Sequence, residues 1–160
     1  MIRGIHHTAI CTADLDRLVA FYRDVVGFEV VNEMTWERDE LIDSIIGLKD
    51  SAARTVMMRA GNAYLEFFQY SAPAARDAEP LRPCDRGYTH ICLDVVDIKA
   101  EHDRLTKAGM RFNRVPGGVG DIRAVYGWDL DGNIVEIQET TPTHHTDLSL
   151  VKAPEPRAAA

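Results

Sequence analysis

A chain of 160 residues, 46% of them hydrophobic, is long enough for one domain or for two small modules that share a core. Its formal charge of −7 argues against nucleic acid or an anionic membrane as partner, since both select basic surface. No apolar run approaches the roughly 20 residues that span a bilayer, and no charged-then-apolar leader is present, so a soluble, cytoplasmic protein is expected.

The first predicted strand lies in His7-Thr-Ala-Ile-Cys-Thr-Ala-Asp14. Asp14 suits an N-cap, because its carboxylate can accept from the first unpaired helical N–H groups. Leu15, Leu18, Val19, Tyr22 and Val26 then recur at helical spacing, which predicts one helix over 15–26. Gly27 is a fitting C′ residue, and Gly27-Phe28-Glu29-Val30 leads into the next strand. Asn32 to Asp50 is a longer excursion, with a short helix predicted around Leu41 to Leu48. Arg54 to Ala60 and Asn62 to Tyr70 are two apolar runs, joined as a hairpin by Gly61-Asn62.

Ser71 to Arg86, with three prolines among small and charged residues, reads as a linker over 71–86. The pattern then returns. His90-Ile-Cys-Leu-Asp-Val-Val-Asp97 opens the second copy, a helix is predicted over Ile98 to Ala108, and Gly109-Met110-Arg111-Phe112 follows. Ile122 to Asp129 and Asn133 to Glu139 make its hairpin around Asp131-Gly132-Asn133. Each half reads βαβββ, over 1–70 and 87–139, and such self-similarity is the mark of a duplicated unit.

Residues 140–160 are polar, then rich in proline and alanine, and read as a flexible C-terminal tail or a strap across a partner subunit. His144 and His145 are not taken as ligands, because an unstructured segment cannot preorganise a site. Cys11, Cys84 and Cys92 are an odd set without C-x-x-C spacing, which suits reduced structural thiols rather than a disulfide framework or a zinc-thiolate site.

Alternation along the strands sorts the polar residues. Ile91, Leu93 and Val95 share an apolar face, leaving His90, Cys92 and Asp94 opposite; Val135 and Ile137 leave Glu136 opposite. Leu65 and Phe67 leave Tyr64, Glu66, Phe68 and Tyr70 opposite. His7 goes with Ala9 and Cys11, whereas His6 points the other way with Thr8 and Ile10. If the apolar faces pack under the helices, His7, Glu66, His90 and Glu136 all turn toward a cavity. Any one of them alone reads as a structural ion pair or a satisfied core group. Together, two carboxylates and two imidazoles on apolar strands are costly to bury unless a divalent cation joins them.

The motifs His7-Thr-Ala-Ile, Asp14-Leu-Asp with Phe21-Tyr22 and Gly27-Phe28, Tyr64-Leu-Glu-Phe-Phe, Gly87-Tyr-Thr-His-Ile-Cys-Leu-Asp-Val and Asp129-Leu-Asp-Gly-Asn-Ile-Val-Glu resemble the vicinal oxygen chelate superfamily. That superfamily includes glyoxalase I, methylmalonyl-CoA epimerase, extradiol dioxygenases, and the fosfomycin and bleomycin resistance proteins. The resemblance runs over residues 3 to 139. It implies an α+β fold of two βαβββ modules forming a curved eight-stranded mixed sheet around a metal-binding cavity, often completed in a homodimer.

The resemblance further implies His7, Glu66, His90 and Glu136 as ligands to a divalent metal ion, with Ni, Co, Mn, Fe and Zn all suited to imidazole and carboxylate donors. The implied activity is that of a glyoxalase-like lyase or an epimerase/isomerase. It would act through a metal-bound enolate of a small carbonyl substrate, with Glu136 or Glu66 doubling as general base. Tyr64, Phe68, Tyr126 and Trp128 are candidates to line the cavity. The long excursion from Asn32 to Asp50 argues against a glutathione adduct as substrate.

An extradiol-type Fe(II) dioxygenase is the alternative, since His7, His90 and Glu136 alone make a two-His-one-carboxylate triad. A thiol transferase acting on fosfomycin would use the same triad, and a drug-sequestering protein would need no metal at all. The sequence leaves open whether the two half-sites meet within one chain or across a dimer.

Overall fold

Two copies of one strand order organise the chain. In this computed structural model it divides into two compact units, Ile5–Ala78, and Glu79–Ala160 with Met1–Gly4. The structure describes residue 2, residues 4–76 and residues 81–151.

Module one runs β1 (His7–Cys11), α1 (Leu15–Ala20), β2 (Glu29–Glu37), α2 (Glu40–Ile46), β3 (Ala52–Ala60) and β4 (Ala63–Ala72). Its sheet order is β1-β4-β3-β2, with β1 parallel to β4 and the other pairs antiparallel. Asp14 caps α1 by accepting from the Arg17 N–H at 3.1 Å. The helix expected over 15–26 changes hand-spacing at Phe21: α1 gives way to a wider π-helical stretch over Phe21–Val26. The N–H groups of Gly27 and Phe28 both donate to the Tyr22 carbonyl, at 3.0 and 2.9 Å. Over so short a run, apolar spacing cannot distinguish the two windings. The stretch buries Phe21 and Tyr22 in succession, and Tyr22 packs on Phe67 with ring centres 4.9 Å apart. Leu15, Leu18, Val56, Met58 and Leu65 complete this core.

The excursion after β2 is held from inside. The Trp36 indole N–H donates to the Ser51 hydroxyl at 2.8 Å, and that hydroxyl donates to Asp43 on α2. Ser51 is fully buried, so each of its partners replaces water.

Module two runs β5 (His90–Asp94), α3 (Ile98–Lys107), β6 (Arg111–Phe112), β7 (Gly117–Val119), β8 (Ile122–Trp128) and β9 (Ile134–Thr140). Its order is β5-β9-β8-β6, with β7 also on β8. Asp97 caps α3 through the Ala100 N–H at 3.2 Å, and its own N–H donates to Glu139 at 2.9 Å. Gly109 takes the left-handed conformation expected of it, at φ 101°. Ile98, Leu105, Met110, Val125, Val135 and Ile137 form the core.

The described residues hold nine strands in two sheets rather than the eight expected, because the strand after α3 is interrupted. Asn113 still donates to Tyr126, and Gly117 pairs with Ala124, so Arg114, Val115 and Pro116 leave the ladder opposite Val125 alone. Pro116 has no N–H to give the ladder. Near β6 the strands approach closely: a Cβ on Gly127 would lie 2.5 Å from the Arg111 carbonyl oxygen.

After β9 the chain stays in turns through a 3-10 turn at Leu148–Leu150, capped by Asp147 through the Ser149 N–H at 2.9 Å. The rest of the expected tail, 152–160, and residues 77–80 of the expected linker lie outside the described residues. Among the described residues no helix is long and apolar enough to cross a membrane.

Candidate functional site

A parallel pair of strands joins the first and last strand of each module, and the register is the same in both. In module one His7 lies opposite Tyr64, two residues before Glu66. In module two His90 lies opposite Ile134, two residues before Glu136. A two-residue offset keeps both side chains on one face of the sheet. His7 Nε2 stands 3.4 Å from Glu66 Oε2, and His90 Nε2 stands 3.2 Å from Glu136 Oε2. Both carboxylates are largely sheltered, with side-chain exposures of 17% and 14%.

The four residues singled out from the sequence are thus brought together as two pairs, one in each module. Among the described residues no group of three or more His, Cys, Asp or Glu gathers closely enough to hold a metal ion. The donor chemistry of each pair, one imidazole nitrogen and one carboxylate oxygen, suits a borderline or hard divalent ion.

Around each pair the environment differs. Glu66 also accepts from the hydroxyl of Thr55 at 3.2 Å, and Thr55 is buried on β3. Glu136 has Cys92 beside it. Desolvation against the sheet and the Glu136 carboxylate push the Cys92 thiol up to about 12, so the thiol is protonated at neutral pH. Tyr126 packs on His90 with ring centres 4.8 Å apart, and desolvation, then Glu136, raise its phenol above the ordinary value. Tyr70 is raised likewise, by desolvation first and then by Cys11 and Glu66. Cys11, Cys84 and Cys92 are all free.

The remaining imidazole nitrogens are engaged as well. His7 Nδ1 meets His6 Nδ1 at 2.9 Å, and His90 Nδ1 meets the Thr89 hydroxyl at 2.9 Å. Strand alternation puts His6 on the opposite face from His7, but β1 begins only at His7, so that rule does not reach His6. Thr55 and Thr89 went unnoticed in the sequence. Thr89 carried a local signal, since it precedes its histidine as His6 precedes His7. Thr55 carried none, because its contact depends on the β3/β4 register.

The expected lining residues divide. Tyr126 borders a cavity of about 390 Å³ in module two, along with Asn113, Arg114, Gly117, Ile122 and Ala124. Trp128 lies under Arg111, whose guanidinium carbon is 5.8 Å from the ring centre. Tyr64 stacks on His6 at 4.9 Å, and Phe68, Trp36 and Tyr70 form a mutually packed aromatic trio. A cavity of about 800 Å³ in module one is bordered by Trp36, Arg38, Gln69 and Tyr70.

Comparison with known proteins finds a match over residues 4–137 to the family model described as Glyoxalase/Bleomycin resistance protein/Dioxygenase superfamily. A 2-epi-5-epi-valiolone epimerase from Actinomyces sp is 31% identical over 122 residues, which cover 74% of this chain and 66% of that enzyme. The chain therefore spans about two thirds of that relative's length. A probable lactoylglutathione lyase from Synechocystis sp. is 23% identical over 137 residues, covering 84% of this chain and 94% of that one. Among solved structures, a glyoxalase family protein from Bacillus cereus superposes with a TM-score of 0.77 at 21% identity, covering 88% of this chain and 95% of that one.

Proposed function

Starting from the chain's membership of the Glyoxalase/Bleomycin resistance protein/Dioxygenase superfamily, we propose that it is a metal-dependent isomerase, epimerase or lyase that moves a proton at the carbon next to a carbonyl of a small molecule. The observation that carries this reading is the repeated pair: an imidazole Nε2 beside a carboxylate Oε2, at the same register, in each module. His7, Glu66, His90 and Glu136 are the residues that would hold a divalent ion. Such an ion supplies Lewis acidity that lowers the cost of removing a proton beside a carbonyl.

The chain's own residues supply the rest. Glu136 is the general base of this reading, because its second oxygen is not fixed by a hydroxyl as Glu66's is by Thr55. The neighbour of Glu136 is the protonated Cys92 thiol, a weaker hydrogen-bond donor than the hydroxyl that holds Glu66. Asn113 and Arg114, at the cavity that Tyr126 borders, suit the oxygen atoms of a polar substrate. Names of relatives support both branches, one an epimerase and one a lyase. Val31 and Met34 stand exposed on the edge strand β2, and we assign the protein a homodimeric assembly that covers such an edge.

The test is metal content of the full chain purified without added metal, followed by proton exchange in D₂O. Candidate 2-oxo acids, hydroxyketones and hemithioacetals would be supplied. Metal-dependent exchange at the carbon next to the carbonyl supports the reading, and exchange that survives complete metal removal overturns it. Oxygen uptake with catechols, confined to the Fe(II) form, would replace it with ring cleavage.

A further inference from the structure

A neutral imidazole has one N–H and one lone pair, so the nitrogen that is to bind an ion must be the one without the proton. The proton then sits on the other nitrogen and needs an acceptor. In module two that nitrogen, His90 Nδ1, faces the Thr89 hydroxyl at 2.9 Å, while Nε2 faces Glu136. In module one His7 Nδ1 faces His6 Nδ1 at 2.9 Å, while Nε2 faces Glu66. The residue immediately before each histidine makes the same contact, although one is an imidazole and the other a hydroxyl.

His6 is itself held in place. Its ring stacks on Tyr64, 4.9 Å away and tilted by 23°, and its carbonyl accepts from the Tyr64 N–H at 3.1 Å. Thr89 is half-buried, and the ring it contacts is backed by Tyr126. Both contacts are solvent-exposed, yet each is braced by an aromatic ring of its own module, His6 by Tyr64 and His90 by Tyr126.

We propose that His6 and Thr89 are matched positioning residues: each accepts the Nδ1 proton of the following histidine and so fixes Nε2 as the atom that donates to the metal. The inference rests on the reading of His7 and His90 as ligands. A hydroxyl and a neutral imidazole share one property that matters here, which is that each can accept or donate. With no ion bound, the Nε2–H of each histidine can donate to its carboxylate while Nδ1 accepts from Thr89 or His6. With the ion bound, the same partners serve as acceptors without moving. Ring orientation is thereby kept through loading, which spares the site the cost of reordering two side chains.

The experiment uses the ¹⁵N-labelled full chain, with zinc as the metal, and reads the imidazole rings by long-range ¹H–¹⁵N correlation alongside a zinc titration against a competing chelator. In the wild type, zinc should place the proton of His7 and His90 on Nδ1 and shift Nε2. Thr89→Val should weaken zinc binding about 10–100-fold and leave His90 as a mixture of tautomers, with Thr89→Ser restoring both. His6→Phe, which keeps the stack on Tyr64 but has no ring nitrogen, should do the same to His7. Thr89→Ala and His6→Ala replace these variants if the larger side chains disturb folding.

Unchanged affinity and tautomers in the variants would overturn the inference while leaving the metal reading intact, as would ligation through Nδ1. A wild type that takes up no zinc and no other divalent ion would overturn the metal reading, and the inference with it.

Discussion

His90 and Glu136 face one another across a parallel ladder, Nε2 to Oε2 at 3.2 Å, although the residue directly opposite His90 is Ile134. The diagonal matters because it puts a base beside an imidazole without putting it beneath one. Glu136→Gln keeps the shape and one acceptor oxygen but loses the proton-accepting charge. We expect kcat to fall by about 10²–10⁴-fold, a range ordinary for a lost general base. Exchange of substrate protons into D₂O is the measurement, with metal content determined on the same sample. Normal turnover in a metal-loaded Glu136→Gln protein would remove Glu136 from the role of base.

Thr55 offers a milder test in module one. Thr55→Val preserves the volume of a buried side chain while removing the hydroxyl that Glu66 accepts from at 3.2 Å. The expected loss is about 1 kcal/mol of stability, the usual worth of one such bond. Metal affinity should fall about 10-fold, since an outer hydrogen bond holds its ligand in place. Urea denaturation and a metal titration report the two effects separately. An unaltered metal affinity would make the contact structural only.

How much of this was legible in the sequence follows from which forces act locally. Caps at Asp14 and Asp97, the left-handed glycine at Gly109 and the turn at Asp131-Gly132-Asn133 are decided by a few adjacent residues, so they could be read directly. Alternation sufficed to put Glu66 and Glu136 opposite Leu65, Phe67, Val135 and Ile137, all of them buried. It stops at the strand ends, so it does not govern His6, which precedes the first residue of β1. The π-helical stretch over Phe21–Val26 and the break at Arg114–Pro116 depend on packing and ladder register, which no local pattern encodes. Thr55 belongs with these, since its partner is set by how β3 meets β4.

The interior bridge under α2 predicts a pH effect. The Ser51 hydroxyl holds the Asp43 carboxyl below its ordinary 3.8. A carboxyl depressed in the folded state contributes stability above the unfolded value, and that contribution fades as pH falls through the folded value. The wild type should therefore lose stability on acidification below pH 3.8 more steeply than Ser51→Ala, which lacks the bond. Ser51→Ala should also cost about 1–3 kcal/mol at neutral pH, because the buried Trp36 N–H loses its acceptor. Thermal melts across pH check both. Parallel pH profiles would show that the hydroxyl does not hold Asp43 in solution.

Gly127→Ala should be among the most damaging small substitutions in module two. The added methyl would meet the Arg111 carbonyl at 2.5 Å and the Phe112 ring at 2.6 Å, and the first of these is backbone that cannot swing away. Overpacking of this kind costs about 1–3 kcal/mol, and here it should detach β6 first. Hydrogen exchange would show it as lost protection at Asn113, whose N–H donates to the Tyr126 carbonyl, with β9 protected as before. Retained protection there would mean that the strands can spread to admit the methyl.

The break in the strand after α3 has a consequence for how such a protein can diverge. Sheet pairing resumes on both sides of Arg114, Val115 and Pro116, at Asn113 and at Gly117, so these three positions answer to no ladder partner of their own. Of the three, Arg114 borders the module-two cavity, and all lie between β6 and β7, apart from the strands that carry His90 and Glu136. If the proposed function holds, substitution at Arg114 would alter what the cavity admits while His90 and Glu136 keep their register.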